Sequence, residues 1–248
     1  MTTFVLVHGA WHGAWCWDLL RPHLEQRGAR AVAVDLPTHD AAARYTDLVD
    51  VVVGAIRDAE DEVVVVGHSF GGLLAPVAAA ETQQLVKRIV LLCALIPVPG
   101  RSLRDQLSTE QGIFTRQMAR NRTERLDGTS TWPEEQAIEL FYHDCPPEVA
   151  HWAAARGRPH AGTVAVEPCP LAAWPRIATE SIVCRDDRVI APAWSRQAAT
   201  HRLGAPARML QGGHSPFLSR PVELADLLQG GGDRIEHQRS DGSVRGFL

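Results

Sequence analysis

Glu62-Val63-Val64-Val65-Val66-Gly67-His68-Ser69-Phe70-Gly71-Gly72 is the stretch from which the rest of this chain can be read. Four consecutive valines are β-branched and apolar, which predicts a strand buried on both faces. The chain then turns at Gly67 and continues as Leu73-Leu74-Ala75-Pro76-Val77-Ala78-Ala79-Ala80, a helical run. Gly67-His68-Ser69-Phe70-Gly71 fits G-x-S-x-G, the turn that lifts a serine hydroxyl clear of a sheet. A strand that passes at once into a helix forces the serine into a strained backbone conformation. Side chains two places before and two after would collide there, so both places call for very small residues. The bland alternative, a glycine-rich turn around an ordinary serine, loses ground because the motif follows a strand and opens a helix.

Working outward, Phe4-Val5-Leu6-Val7 predicts a first buried strand, followed by the loop His8-Gly9-Ala10 and a helix ending at Gly28. Arg30 to Asp35 predicts a second strand. Tyr45 to Ala59 carries Leu48, Val49, Val52, Val53 and Ile56 at helical spacing. Arg88 to Ala94 predicts a fourth strand after the serine turn and its helix. Ser181-Ile182-Val183-Cys184 and Ala207-Arg208-Met209-Leu210 predict a fifth and a sixth, with helices after Pro192 and Pro221. Strand and helix alternate, so the expected class is α/β, a mainly parallel six-stranded sheet flanked by helices.

The alternation breaks between residues 98 and 178, where no buried strand stands out. Helical pieces are expected near 113–121, 133–142 and 147–156. Ile113, Phe114, Met118, Trp132, Leu140, Phe141 and Trp152 give this block an apolar face that needs a partner. The expected organisation is a core of residues 1–97 and 179–230, an inserted helical cap at 98–178 and a polar tail at 231–248. The arginine-rich run 116–125 reads as a solvated face.

The 248 residues are 45% hydrophobic and 22% charged, ordinary for one globular domain. A net charge of −4 gives no reason to expect nucleic acid or anionic lipid as partners. No apolar run reaches the length of a membrane span, and the first residues lack the pattern of a signal peptide. Five cysteines without paired spacing offer neither a disulfide framework nor a zinc site. A cytoplasmic setting is expected, with no metal and no organic cofactor. Association as a homodimer stays open.

A serine hydroxyl needs a base to take its proton and an acid to orient that base. In a parallel sheet all three belong on loops at the carboxyl ends of strands. Ser69 follows the third strand, Asp186 and Asp187 the fifth, and His214 the sixth. His214 sits in Gly212-Gly213-His214, a loop free to reach back. The other histidines, His68 and His160 among them, read as packed or surface groups. Spacing alone does not separate Asp186 from Asp187. An oxyanion hole needs two backbone N–H groups. One is expected from Phe70, after the serine, and one from Ala10, in the loop after the first strand. Gly9 would let the backbone approach the substrate, and the cap aromatics Trp132 and Phe141 are candidates to touch it.

Phe4 to Trp17, Gly67-His68-Ser69-Phe70-Gly71-Gly72, Ile182 to Arg188 and Gly213 to Pro221 together resemble the α/β-hydrolases, and within them the plant methyl esterase and hydroxynitrile lyase branch with its bacterial relatives. The resemblance spans about residues 4–228. It implies the α/β-hydrolase fold and a Ser69–His214–Asp187 triad. The acid falls on Asp187 because the family pattern places it directly before the basic residue. Lyases of this branch carry Thr after the first His and Lys after the catalytic His. Here those positions are Gly9 and Ser215, which points to the esterase side. The expected function is hydrolysis of carboxylic esters of small to medium apolar molecules, with water as co-substrate. The alternatives are a non-hydrolytic use of the triad, as in a hydroxynitrile lyase, and a receptor-like protein that binds without turnover.

Overall fold

The computed structural model describes residues 1–119 and 122–230. The expected polar tail, and residues 120 and 121 of the arginine-rich run, lie outside the described residues. Strand and helix alternate as β1 (Thr2–Val7), α1 (Arg21–Gln26), β2 (Arg30–Ala33), α2 (Tyr45–Arg57), β3 (Glu62–His68), α3 (Gly71–Glu81) and β4 (Val86–Leu92). An inserted block carries α4 (Leu103–Thr109), β5 (Thr123–Glu124), β6 (Thr129–Thr131), α5 (Glu134–Phe141), α6 (Pro147–Ala154) and β7 (His160–Ala161). The main sheet resumes with β8 (Ala178–Cys184), α7 (Pro192–Ala198) and β9 (Arg208–Leu210). The described chain closes with α8 (Pro216–Ser219) and α9 (Pro221–Gln229).

Six strands form one sheet in the order β2-β1-β3-β4-β8-β9, every neighbouring pair parallel. The expected α/β class and strand count therefore hold. The valines explain why β3 lies in the interior of the sheet. Val63, Val65 and Val66 are wholly buried, and a buried Val contributes roughly 1.5–3 kcal/mol through burial alone. Helix α2 buries Leu48, Val49, Val52, Val53 and Ile56, the face its spacing predicts. Helix α3 is buried from Gly71 through Ala79, so it sits inside the molecule rather than on its surface.

The strand order also positions the site. The chain begins at β1, steps outward to β2, then returns across β1 to β3. At such a reversal the loops leaving two adjacent strands diverge and leave a crevice at their carboxyl ends. Val7 of β1 pairs with Gly67 of β3, so the His8-Gly9-Ala10 loop and the serine turn leave the sheet side by side.

The inserted block departs from a purely helical cap. β5, β6 and β7 form a small antiparallel sheet, with Thr129 and Ser130 buried. Thr123, Thr129 and Thr131 are β-branched, and Asp127-Gly128 makes the reversal, with Gly128 at φ +81°. Nor is there a helix at 113–119. The Thr115 N–H donates to Val189 O at 2.9 Å, and the Ala191 N–H donates to Ile113 O at 2.9 Å. Phe114 forms a β-bridge with Ile190, so tertiary pairing takes the backbone groups a helix would use. Only a single 3-10 turn remains, at Gln117–Ala119. Helix α4, by contrast, has a clear start. Ser102 Oγ accepts from the Asp105 N–H at 3.0 Å, and Asp105 Oδ2 accepts from the Ser102 N–H at 3.2 Å. Among the described residues no helix is long and apolar enough to cross a membrane.

Two glycines give a stability test of opposite sign. A Cβ at Gly71 would lie 2.6 Å from Val7 O and 2.9 Å from His8 O, both backbone atoms that cannot yield. Gly71→Ala is expected to destabilise by about 1–3 kcal/mol. Gly54 lies inside α2 with nothing within 4 Å of its missing Cβ. There Ala should stabilise by about 0.5–1 kcal/mol. Urea unfolding of both variants checks the pair; an unchanged midpoint for Gly71→Ala would refute the packing argument.

Candidate active site

The serine turn is strained in the way its motif requires. Ser69 has φ +51°, in the left-handed region that a side chain disfavours. It is held by its surroundings. The Ser69 N–H donates to Leu92 O at 3.1 Å, and Ser69 O accepts from the Leu95 N–H at 3.0 Å. The flanking glycines make room. A Cβ at Gly67 would lie 2.7 Å from Gly71 O, and one at Gly9 would lie 2.9 Å from both Ser69 Cβ and His68 Nδ1. Gly9 therefore lets the first loop approach Ser69 itself, and it does not line the cavity described below.

His214 and Asp187 are joined. The His214 Nδ1–H donates to the Asp187 carboxylate, at 2.9 Å from Oδ2 and 3.0 Å from Oδ1. Both residues are buried. Asp187 Oδ1 also accepts from the Val189 N–H at 2.8 Å and the Ile190 N–H at 3.1 Å, which fixes the orientation of the carboxylate. Asp186 points elsewhere and accepts from Gln211 Nε2 at 2.8 Å. With Nδ1 protonated, His214 Nε2 is left as the basic nitrogen. Among the described residues Ser69 Oγ makes no hydrogen bond to that ring. Such contacts commonly tighten only once substrate is present.

The turn and the histidine loop are tied through His68. Its Nε2–H donates to the backbone carbonyl of His214 at 2.9 Å, and the two rings lie 4.7 Å apart. The Gly213 N–H donates to Asp144 Oδ2 at 2.8 Å, anchoring the same loop from the inserted block. Two more histidines brace the loop after β1. His8 Nδ1–H donates to Gly9 O at 2.8 Å while its Nε2 accepts from the Leu36 N–H at 3.0 Å. His12 Nδ1–H donates to Ala10 O at 2.7 Å and its Nε2 accepts from Tyr142 Oη at 3.0 Å. Among the described residues neither the Ala10 nor the Phe70 N–H has a partner, so both are free to donate.

Ser69, Phe70 and Ala10 share one cavity of about 720 Å³. Its apolar wall includes Leu95, Leu103, Ile113, Phe114, Met118 and Val189, and Arg122 and Glu124 also border it. This volume is in the range of small-molecule sites. Trp132 and Phe141 do not line it, contrary to expectation. They pack on Trp11, at ring distances of 5.5 and 5.9 Å, and it is Trp11 that faces the cavity. Phe141 also packs on the His214 ring at 6.0 Å. The reason is local. The Trp11 Nε1–H donates to Ser130 O at 3.1 Å, which holds the indole over the small sheet and in front of both aromatics. Among the described residues no group of three or more His, Cys, Asp or Glu is placed to hold a metal ion.

The sequence pattern of the alpha/beta hydrolase family matches residues 4–227. The chain belongs to the alpha/beta hydrolase family. Norfluorocurarine synthase 1 of Strychnos sp. is 38% identical over 104 residues, 38% of this chain and 39% of that protein. The chain thus spans about two fifths of the length of that relative in the match. Methyl jasmonate esterase 1 of Vitis vinifera is 26% identical over 91% of this chain and 95% of its own length. Among solved structures, a pyrethroid hydrolase from Sphingobium faniae JZ-2 superposes with a TM-score of 0.79 at 24% identity, covering 95% of this chain and 99% of that one. That likeness is one of fold. The resemblance to the methylesterase-like branch holds.

The buried histidines make the fold acid-sensitive in a stated window. Burial lowers His8 to about 4 and His12 and His160 to about 3, from an ordinary value near 6.5. Below pH 6.5 the unfolded chain takes up protons on these rings that the folded chain refuses, so stability falls as pH falls and stops falling on their account near pH 4 to 3. Each ring contributes a slope of up to about 1.4 kcal/mol per pH unit. Urea midpoints measured from pH 7 downward should begin to drop above pH 5, where carboxylates are still ionised. A flat profile over that range would contradict the neutral-imidazole assignment.

Proposed function

We propose that this protein is a serine hydrolase that cleaves carboxylic esters through Ser69, His214 and Asp187. The observation that carries the reading is the buried Asp187–His214 hydrogen bond, with the histidine loop tied by His68 to the turn that presents Ser69 to the cavity. Support also comes from a relative named as a methyl jasmonate esterase that is similar along nearly the whole chain.

The reaction follows from the protonation states. His214 Nε2 takes the Ser69 proton as Ser69 Oγ attacks the ester carbonyl carbon. The carbonyl π bond breaks toward oxygen, and the Ala10 and Phe70 N–H groups hold the resulting oxyanion. Asp187 keeps Nδ1 protonated and stabilises the imidazolium. His214 then gives its proton to the leaving alkoxide as the ester C–O bond breaks, leaving an acyl-Ser69. Water repeats the cycle, with His214 as base, and releases the acid. This scheme needs no cofactor. The substrate is a small molecule with an apolar body, since the wall above Ser69 is built of Leu, Ile, Phe, Met and Val side chains.

A panel of methyl esters of graded acyl length, scored for released acid, tests the proposal. Ser69→Ala should lower kcat on the order of 10³-fold or more, and Asp187→Asn should lower it strongly by leaving His214 in the wrong tautomer. Wild-type turnover by Ser69→Ala would end the reading.

A further inference from the structure

His160 has no part in the proposed reaction, yet it borders the same cavity as Ser69. It lies in β7, paired with Ser130 of β6, on the inserted block and far from Ser69 in sequence. Two aromatic contacts orient its ring: Phe70 edge-on at 4.8 Å and Trp11 at 5.4 Å. Hydrogen bonds do not. Nδ1 is buried without a partner, and among the described residues none binds Nε2 either. A buried polar group left unpaired costs free energy, and such a group in a folded protein calls for an explanation.

The two ring nitrogens differ. Nδ1 is sealed from solvent, whereas Nε2 is not buried in that way and belongs to a ring that borders the cavity. An orphaned N–H is rarer in proteins than an under-used acceptor. The proton therefore belongs on Nε2, with Nδ1 the bare, sealed nitrogen. The ring also stays neutral at neutral pH. Burial, followed by the charges of His8 and Arg122, holds it well down. From the elements around the cavity, Arg122 and Glu124 face this region, and they pair with each other at 2.7 Å. What His160 offers is thus a directed N–H dipole without net charge, in a wall that also carries the apolar side chains of Leu95, Ile113, Phe114 and Met118.

We infer that His160 is a specificity-determining residue whose Nε2–H binds an uncharged acceptor oxygen of the substrate, close to the scissile carbonyl. This inference rests on the proposed ester hydrolysis at Ser69. The position follows from Phe70, whose ring touches His160 and whose N–H is one of the two assigned to the oxyanion. The ligand class is an ester that carries a keto, ether or hydroxyl oxygen within a few bonds of the ester group. A plain alkyl ester leaves the donor unpaired. A site built to hydrogen-bond an oxygen discriminates against the analogue that lacks it.

The test reads binding, in variants that share Ser69→Ala so that nothing is consumed. The probes are a β-keto methyl ester and the alkyl methyl ester of the same chain length, titrated by ligand-observed NMR. Ser69→Ala should prefer the keto ester by about tenfold. Adding His160→Phe should abolish that preference. Adding His160→Gln, whose amide nitrogen reaches the place of Nε2, should restore most of it. Thermal unfolding shows that each variant is folded, and the nitrogen-15 spectrum of the labelled imidazole should report the Nε2–H tautomer. Equal affinity for the two esters in Ser69→Ala, a preference that survives His160→Phe, or an Nδ1–H tautomer would each overturn the inference. Failure of the hydrolase reading shows separately, as wild-type protein without Ser69-dependent turnover.

Discussion

Everything at the working end of this molecule depends on how closely three pieces of backbone approach one another around Ser69. The carbonyls of Val7 and His8 press on Gly71, the carbonyl of Gly71 presses on Gly67, and Leu95 O presses on Gly72. None of these places has room for a Cβ. The strain at Ser69, on the order of 1–3 kcal/mol for a side chain held at positive φ, persists because its neighbours leave no alternative. The sheet contributes rigidity. With β3 inside the sheet and its valines buried, the strand end cannot shift to relieve the turn.

Four histidines surround this junction, and their roles separate by hydrogen bonding rather than by position. His8, His12 and His68 each spend a ring N–H on a nearby backbone carbonyl, of Gly9, Ala10 and His214 respectively. They act as neutral braces between loops, and burial keeps them neutral. His214 alone spends its N–H on a carboxylate. That one difference of partner sets His214 apart from the braces and is what the proposed role as base requires, because a fixed negative charge stabilises an imidazolium. The braces matter to it indirectly. His68 holds the backbone carbonyl of His214, the proposed base.

The main sheet and the histidine–aspartate pair were legible in the sequence because each demands particular residue types at particular places. Four valines, then two small residues flanking a serine, leave few other structures. The carboxylate was legible only down to two candidates by spacing, since neighbouring residues share a loop and differ in direction. The inserted block was less legible. Its strands are two or three residues long and polar, too short for alternation to show. Trp132 and Phe141 were legible as apolar residues needing a partner. That Trp11 would stand in front of them depends on one indole hydrogen bond to Ser130, a contact across 119 positions that no local pattern encodes. The place of His160 is hidden from local pattern in the same way, since its contacts with Phe70 and Trp11 join positions far apart in the sequence.

The division of labour between the sheet and the inserted block follows from these contacts. The residues of the proposed chemistry follow β1, β3, β8 and β9, strands of the main sheet. Much of the cavity wall comes from the inserted block, whose backbone is drawn toward the core by a few bonds such as Thr115 to Val189 and Ala161 to Thr38. A change of wall residue therefore alters what fits above Ser69 without disturbing the turn that presents it. Selectivity in such a design resides in the few polar atoms that the wall leaves unpaired, since apolar contact alone separates close analogues by little. In this chain the wall sets His160 beside Phe70, and so brings a donor from the inserted block next to the serine turn.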